Sequence, residues 1–529
     1  MSKQLLHSHG TGVVIAALNH RTFAVVSTSL SASSQNAIVY ELMASPNSSS
    51  AGGGEEDKPG EKGNNDDNEI QAVFCTEIGS SLWFAVSRAE KTLSLYSISA
   101  EIVEKNNTRD SSEEDVTKTL YPCKIYSLSK RARCLAFTNV DECQVIIAGD
   151  LSGDATAFPV PEDASPSASS PKDAEAVKPT STPKRLLLGH TASMLTGLNV
   201  VKKNSDQQQQ FILTSDRDEK VRVSNFPETH IIQGYLLGHS SFISCMDAIS
   251  NERSLCLTAS GDGTSRLWDY KTCKEVGMLP VVVKKSSETK QDDNEEVDEE
   301  VESINEMENM VDEEESNDNG DIEGDYEDED GDDYEEDSFD RHEVAVPLSA
   351  ALHPDATYAA VARDEIQSID IHPIPPVQAK SSSSTSLQLS HLVSLHKKQT
   401  LECKSQPLAI RFASDSLLAL AREPEYLLHF TKTEDGFHDI SRSSCLSNAL
   451  RRVAQAEHIT MPVTTLERGN DGGWAAQKKE DRKELTMKSS ERGGLHWNDP
   501  ERKETAKLAQ QRKRQRKRAR RKEEGEQVN

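Results

Sequence analysis

Residues 186–200 read LLLGHTASMLTGLNV, 212–226 ILTSDRDEKVRVSNF, 235–250 YLLGHSSFISCMDAIS and 255–270 LCLTASGDGTSRLWDY. They are two copies of one unit, back to back. Each copy has a Gly-His pair, a short strand, a second strand, a tight turn containing Asp, and a third strand. The second copy ends in Trp-Asp and the first in a remnant of it. Such a unit cannot bury its own apolar face, so it must be repeated around an axis as the blade of a propeller.

The spacing from Gly-His to Trp-Asp is that of a WD40 blade. Outside the two clear copies the same rhythm of short β-branched runs recurs. Residues 11–42 give VVIAAL, FAVVSTS and AIVYEL; 70–98 give AVFCTEI, LWFAVSR and LSLYSI; 131–160 give ARCLAF, VIIAGD and DATAFPV. Residues 344–374 give VPLSAAL, YAAVARD and IQSIDIHP, and 391–430 give LVSLH, LAIRF, LLALARE and YLLHF. Together these make seven units. The expectation is an all-β, seven-bladed WD40 β-propeller over residues 1–440 with disordered inserts at about 43–69, 101–119, 161–184, 271–341 and 376–390. Radial repetition leaves only short strand edges, and closure entropy grows slowly with loop length, so inserts between strands are tolerated.

From residue 441 the pattern stops. Leu446, Leu450 and Val453, with Ala449 and Ala454 alongside, predict a short amphipathic helix. The rest of 441–529 is read as a helical or disordered basic tail.

The chain has 529 residues and a net charge of −28, but the charge is concentrated. Asp292 to Asp337 holds 27 acidic residues and no Lys or Arg, and without that stretch the net charge is −1. Arg512 to Lys522, RKRQRKRARRK, has nine basic residues in eleven. The overall acidity therefore describes an insert and does not exclude nucleic acid. The basic run reads as a nuclear localisation signal, an RNA-phosphate patch, or both, and without interleaved aromatics any RNA contact would be electrostatic.

Nine cysteines are scattered without CxxC or Cys/His spacing, which predicts a reducing compartment, no disulfide framework and no metal. The opening MSKQLLHSHGTGVVIAAL has too short an apolar run for a signal peptide or a membrane span, so a soluble intracellular protein is expected. No glycine loop follows a strand in a βαβ context, so no nucleotide or S-adenosylmethionine site and no catalytic residue is expected.

In the fifth unit His239, Ser260, Asp262 and Trp268 match the internal hydrogen-bond lock of a blade, with Asp262 accepting from the His239 ring. Ungapped alignment of the fourth unit on the fifth sets Asp218 against Asp262, Lys220 against Thr264, Arg222 against Arg266 and Ser224 against Trp268. His190 is then expected to pair with Asp218. In KVRVS, Val221 and Val223 face one way and Lys220 and Arg222 the other. On residues alone Lys220 and Arg222 fit a solvated strand face or a partner contact. The turn DRDEK is unusually charged for this place in a blade.

HTASMLTGL, LTSDRDEKVRVSNFP and GYLLGHSSFIS together resemble the non-catalytic WD-repeat subunit of the tRNA (guanine-N7-)-methyltransferase, with close matching over about 184–270. The resemblance implies a subunit with no cofactor of its own. It would bind and stabilise a catalytic partner that carries S-adenosylmethionine and methylates guanine 46 of tRNA. It also implies that Lys220 and Arg222 pair with acid on that partner, in a nuclear heterodimer that engages tRNA, with the basic tail as a possible tRNA contact. The alternative is a nuclear WD-repeat scaffold in ribosome assembly or chromatin complexes.

Overall fold

The computed structural model describes residues 3–9, 12–27, 37–44, 69–99, 117–140, 143–161, 185–191, 193–202, 209–282, 344–375 and 398–461. The chain divides into a unit of Met1–Val281 with Ala345–Asn529 and a second of Val282–Val344; only the two end residues of the second are described.

Within the first unit, seven sheets stand around one axis, antiparallel throughout except for one added parallel strand in blade 1. Blade 1 runs from Leu6 to Leu42, blade 2 from Ile70 to Ser127, blade 3 from Ala132 to Gly189 and blade 4 from Leu195 to Leu236. Blade 5 runs from Ile243 to Leu279, blade 6 from Pro347 to Glu402 and blade 7 from Pro407 to Asp439. The first strand of every blade lines a common axial cavity, about 240 Å³ in volume. The expected seven-bladed β-propeller is the observed fold.

The core lies between blades. Val221 and Val223 of blade 4 pack with Ile243 and Trp268 of blade 5, and Leu195 and Ile212 of blade 4 pack with Ile147 and Ala157 of blade 3. Burying each such side chain stabilises by about 1.5–3 kcal/mol. The alternation explains which residues these are: along one strand Ile212 packs towards blade 3, and Phe211 and Leu213 on the opposite face pack towards blade 5.

The structure corrects the sequence reading where strands are polar. Blade 1 has an inner strand, Leu6–His9, upstream of the three expected, and Lys118–Leu120 joins Ala37–Leu42 in parallel as a fifth strand. The expected insert 101–119 therefore ends in a strand. Likewise the expected insert 271–341 begins with the outer strand of blade 5, Lys274–Leu279. The outer strand of blade 6 is Gln399–Glu402, and LVSLH falls outside the described residues. Outer strands are half exposed, so they lack the apolar alternation by which inner strands are found. The acidic stretch 292–337 and the basic run 512–522 also lie outside the described residues.

The predicted helix is present as α1, Cys445–Ala456, capped by Ser444, with Leu446, Ala449, Leu450 and Ala454 buried. It packs against blades 1 and 7 in one apolar cluster. Blade 7 is built from four strands consecutive in sequence, and the one strand that blade 1 takes from elsewhere, Lys118–Leu120, comes from the span of blade 2, so no strand is exchanged between blades 7 and 1 to close the ring. The seam is held instead by α1 and the residues after it. Arg21 pairs with Glu457 at 3.0 Å, Tyr426 donates to the Ile459 carbonyl at 2.7 Å, and the Met461 amide donates to Glu423. Residues 441–461, separated from the propeller on sequence, belong to its fold.

Two even-numbered blades carry an arginine where a blade lock would start. Arg88 of blade 2 donates to the Leu42 carbonyl of blade 1 at 3.2 Å, and Arg363 of blade 6 donates to the Pro280 carbonyl after blade 5 at 3.1 Å. Both are almost completely buried and tie neighbouring blades together.

Candidate functional site: the rim of blade 4

Blade 5 shows what an ordinary lock looks like here. His239 Nδ1 meets Asp262 Oδ2 at 3.0 Å, and its Nε2 meets Thr258 Oγ1 at 2.8 Å. The Trp268 indole N–H donates to the same Thr258 hydroxyl at 2.7 Å. Burial works to raise the Asp262 carboxyl, but hydrogen bonds and charge from His239, with Thr264, outweigh it and hold it well below the carboxylate range. Ser260 stands beside this chain rather than in it: its hydroxyl donates to the Ser241 carbonyl and accepts from the Asp262 amide. Thr258, the residue that joins indole to imidazole, escaped the sequence reading. Its signal was present, because a Thr stands at the same place in both copies, ILTSD and LCLTASGD.

Blade 4 differs from this in three ways. First, His190 does not pair with Asp218. Its Nδ1 meets Asp216 Oδ2 at 2.8 Å, and its Nε2 meets Thr214 Oγ1 at 2.8 Å. The register of the alignment holds, but the acid has moved from the turn to the strand end. Where blade 5 has Ser260, too short and neutral for the task, blade 4 has Asp216, which is fully buried. Asp216 Oδ1 also caps the turn, accepting from the amides of Asp218 at 2.9 Å and Lys220 at 3.4 Å. The Asp218 carboxylate is thereby released to the surface, with 47% of its side chain exposed and the Arg217 Nε 3.8 Å away.

Second, Glu219 takes φ +74°, at the turn position that blade 5 fills with Gly263, φ +85°. A residue with a Cβ in that left-handed region costs roughly 1 kcal/mol relative to glycine. Backbone strain of this kind collects at functional sites.

Third, Ser224 replaces the tryptophan. Arg222 folds over it, donating from Nε to Ser224 Oγ at 2.8 Å, from Nη2 to the Thr229 carbonyl at 2.8 Å and from Nη1 to the Gly189 carbonyl at 3.4 Å. Thr229 in turn donates its hydroxyl to the Leu187 carbonyl, so the outer strand of blade 3 and the loop 227–231 are tied together. All three acceptors of Arg222 are neutral. Among the described residues no carboxylate pairs with it.

Lys220 lies beside this arginine, with 39% of its side chain exposed and its Nζ 3.8 Å from buried Asp216. Val221 and Val223 are buried while Lys220 and Arg222 are only partly so, as the alternation required. On the adjacent outer strand, Tyr235 stands opposite Arg222 and Ile232 opposite Ser224. Ile231, Ile232, Tyr235 and Leu237 are all exposed, as is Leu186 on the outer strand of blade 3. The rim thus combines two cations and an apolar row, the composition of a docking surface.

Chemistry on a bound substrate has little support in these groups. The His, Ser and Asp side chains of the locks are used up in holding blades together. The cysteines are free; burial pushes the thiols of Cys134 and Cys245 up to about 12, so they stay protonated. Among the described residues no group of three His, Cys, Asp or Glu is placed to hold a metal ion.

Comparison with known proteins gives one family model over this part of the chain and several curated relatives. The model of the tRNA methyltransferase TRM82 WD40 domain matches residues 172–319. The non-catalytic subunit wuho of tRNA (guanine-N(7)-)-methyltransferase from Aedes aegypti is 32% identical over 224 residues, covering 41% of this chain and 46% of the relative. The human non-catalytic subunit WDR4 is 35% identical over 144 residues, 27% of this chain and 29% of the relative. The TRM82 subunit of Candida glabrata is 30% identical over 163 residues, 31% and 35% of the two chains. The chain spans less than half the length of each of these relatives. A chain in the crystal structure of the mitotic checkpoint complex aligns with a TM-score of 0.42 at 12% identity, over 79% of this chain and 87% of that one, too loosely to argue from. The resemblance carried by the fourth and fifth blades, to the non-catalytic subunits of tRNA (guanine-N7-)-methyltransferase, is borne out by the family model and the curated relatives alike.

Proposed function

We propose that this chain is the non-catalytic subunit of a tRNA (guanine-N7-)-methyltransferase, and that it works by docking a catalytic partner on the rim of blade 4. The observation that carries this reading is the departure of blade 4 from blade 5: a strained charged turn, a released Asp218, and an arginine whose charge is left uncompensated beside an apolar row. Lys220 and Arg222 take acidic groups of the partner. The partner supplies S-adenosylmethionine and the methyl transfer to guanine 46 of tRNA. The contribution of this chain is binding free energy that favours the partner's active conformation over its inactive ones. The heterodimer acts in the nucleus, with the basic run 512–522 adding salt-sensitive affinity for tRNA or serving import.

Co-expression with a candidate catalytic subunit, followed by assay of N7-methylguanine in tRNA, tests the function. Equal activity with and without this chain refutes it and leaves the nuclear scaffold reading. Lys220→Glu tests the surface. Truncating one side of a desolvated interfacial ion pair costs about 2–5 kcal/mol, so reversal of charge should weaken the heterodimer roughly 30-fold or more while the propeller melts as before. Unchanged affinity would remove Lys220 from the interface without touching the function.

A further inference from the structure

Blades 4 and 5 place an arginine at the same register, Arg222 opposite Thr214 and Arg266 opposite Thr258, yet the two side chains go to different places. In blade 5 the indole of Trp268 fills the space over the strand. A Cβ placed on Gly238 would meet Arg266 Nη1 and the indole at 3.2 Å each. Arg266 lies along that indole with its Nε buried and without a hydrogen-bond partner among the described residues, and Glu275 takes its Nη1 at 2.6 Å and neutralises it. In blade 4 a Cβ on the corresponding Gly189 would meet Asp154 alone, and the Arg222 guanidinium reaches the carbonyl of that glycine instead. Arg222 instead lies back over the fully buried Ser224, and its three acceptors come from blade 4, the loop 227–231 and blade 3.

We propose that the exchange of tryptophan for Ser224 is what makes blade 4 a docking blade, because the serine opens a socket that holds Arg222 at the rim in one geometry with its charge unpaired. Ser224 is a positioning residue: it acts through Arg222. This rests on the docking role proposed above and deepens it. A long arginine loses rotamer freedom when it is fixed. A chain that fixes it before the partner arrives removes that cost from binding, which is preorganisation. A neutral socket is required as well. A carboxylate there would compete with the partner's own acid, as Glu275 does for Arg266. The loss of the tryptophan is tolerated because His190 keeps Thr214 and gains the buried Asp216.

Three variants test this. Ser224→Thr keeps the hydroxyl and should bind the catalytic partner as the natural chain does. Ser224→Ala removes the Nε acceptor and should weaken binding several-fold with little change in melting temperature. Ser224→Trp rebuilds the ordinary lock, its indole N–H reaching Thr214, and should displace Arg222 and weaken binding roughly tenfold or more in a folded propeller. Natural affinity in a folded Ser224→Trp or in Ser224→Ala overturns the proposal. If Ser224→Trp is overpacked and does not fold, Ser224→Ala and its restoration by Ser224→Thr decide alone. A readout without partner separates the socket from the function: the Arg222 Nε proton should exchange slowly with solvent in the natural chain and in Ser224→Thr, and fast in Ser224→Ala. Equal exchange in all three refutes the socket even if the heterodimer forms. Protected exchange with no heterodimer would overturn the docking role assigned to Ser224 and count against the proposed function, leaving the socket as a feature of the fold alone.

Discussion

His190 and Asp216 meet at 2.8 Å within blade 4, the histidine entering from the Gly-His corner and the carboxylate from the end of the second strand. Two residues further on, Asp218 is left at the surface. Asp216 thereby takes over both tasks that Asp262 performs in blade 5, pairing with the histidine and capping the turn. Asp216→Ala strands the His190 ring and two turn amides, and should cost about 3 kcal/mol of stability. Asp218→Ala should change stability by no more than about 0.5 kcal/mol. Urea denaturation of the two variants checks the order; equal costs would return the lock to Asp218.

Thr258 is the joint between Trp268 and His239. Thr258→Val keeps the shape and removes the acceptor for both the indole N–H and the imidazole. A loss of about 1–3 kcal/mol is expected, seen as an earlier thermal transition. A transition at the natural temperature would mean that the lock does not need its hydroxyl.

Glu219 occupies a left-handed turn position. Glu219→Gly relieves the Cβ clash and should stabilise the propeller by about 1 kcal/mol. A stabler chain with weaker partner binding is the expected pair of results. A destabilised chain would show that contacts of the glutamate side chain outweigh the backbone strain.

The C-terminal seam is acid-sensitive. Burial pushes His429 down to about 4 from its ordinary value of 6.5, against the opposing pull of Asp439. Its Nδ1 meets Ser444 Oγ, the cap of α1, at 2.7 Å, while its Nε2 has no partner. Between pH 6.5 and about 4 the unfolded chain takes up a proton that the folded ring refuses. This contribution is complete above pH 6.5 and is lost as pH falls towards 4. The denaturant midpoint should therefore drop over that window, and His429→Gln should flatten the drop. An unchanged slope in the variant would clear His429 of the effect.

Leu450 is fully buried between blades 1 and 7. Leu450→Ala should cost about 2–5 kcal/mol, although the residue lies outside every blade. If chemical denaturation shows less than about 1 kcal/mol, α1 is an ornament on the seam rather than its fastening.

How legible all this was in the sequence depended on burial. The inner strands of blades 2 to 7 were readable because both of their faces meet protein. Leu6–His9, Lys118–Leu120 and Lys274–Leu279 were not, because their exposed positions carry His, Lys and Glu in no fixed rhythm. The site was legible as a place: DRDEKVRVS stood out against SGDGTSRLW. Its internal wiring was not. Alignment compares positions, and the acid that reaches a histidine is decided by side-chain length and strand geometry two residues either way. Arg222 was identified by its charge, whereas its hold on Gly189, Ser224 and Thr229 joins residues from two blades and a loop, a placement that spacing along the chain does not encode.

Seven blades in a ring place blade 4 directly across from the junction of blades 7 and 1. That junction is fastened by α1, by direct packing of blade 1 on blade 7 and by a few side chains, without a shared strand. Of the seven junctions it is the one that no connecting stretch between successive blades crosses, so opening there breaks packing and side-chain contacts alone. The docking rim has unbroken neighbours on both sides. Any parting of that junction is thus kept half a circumference away from the proposed docking surface.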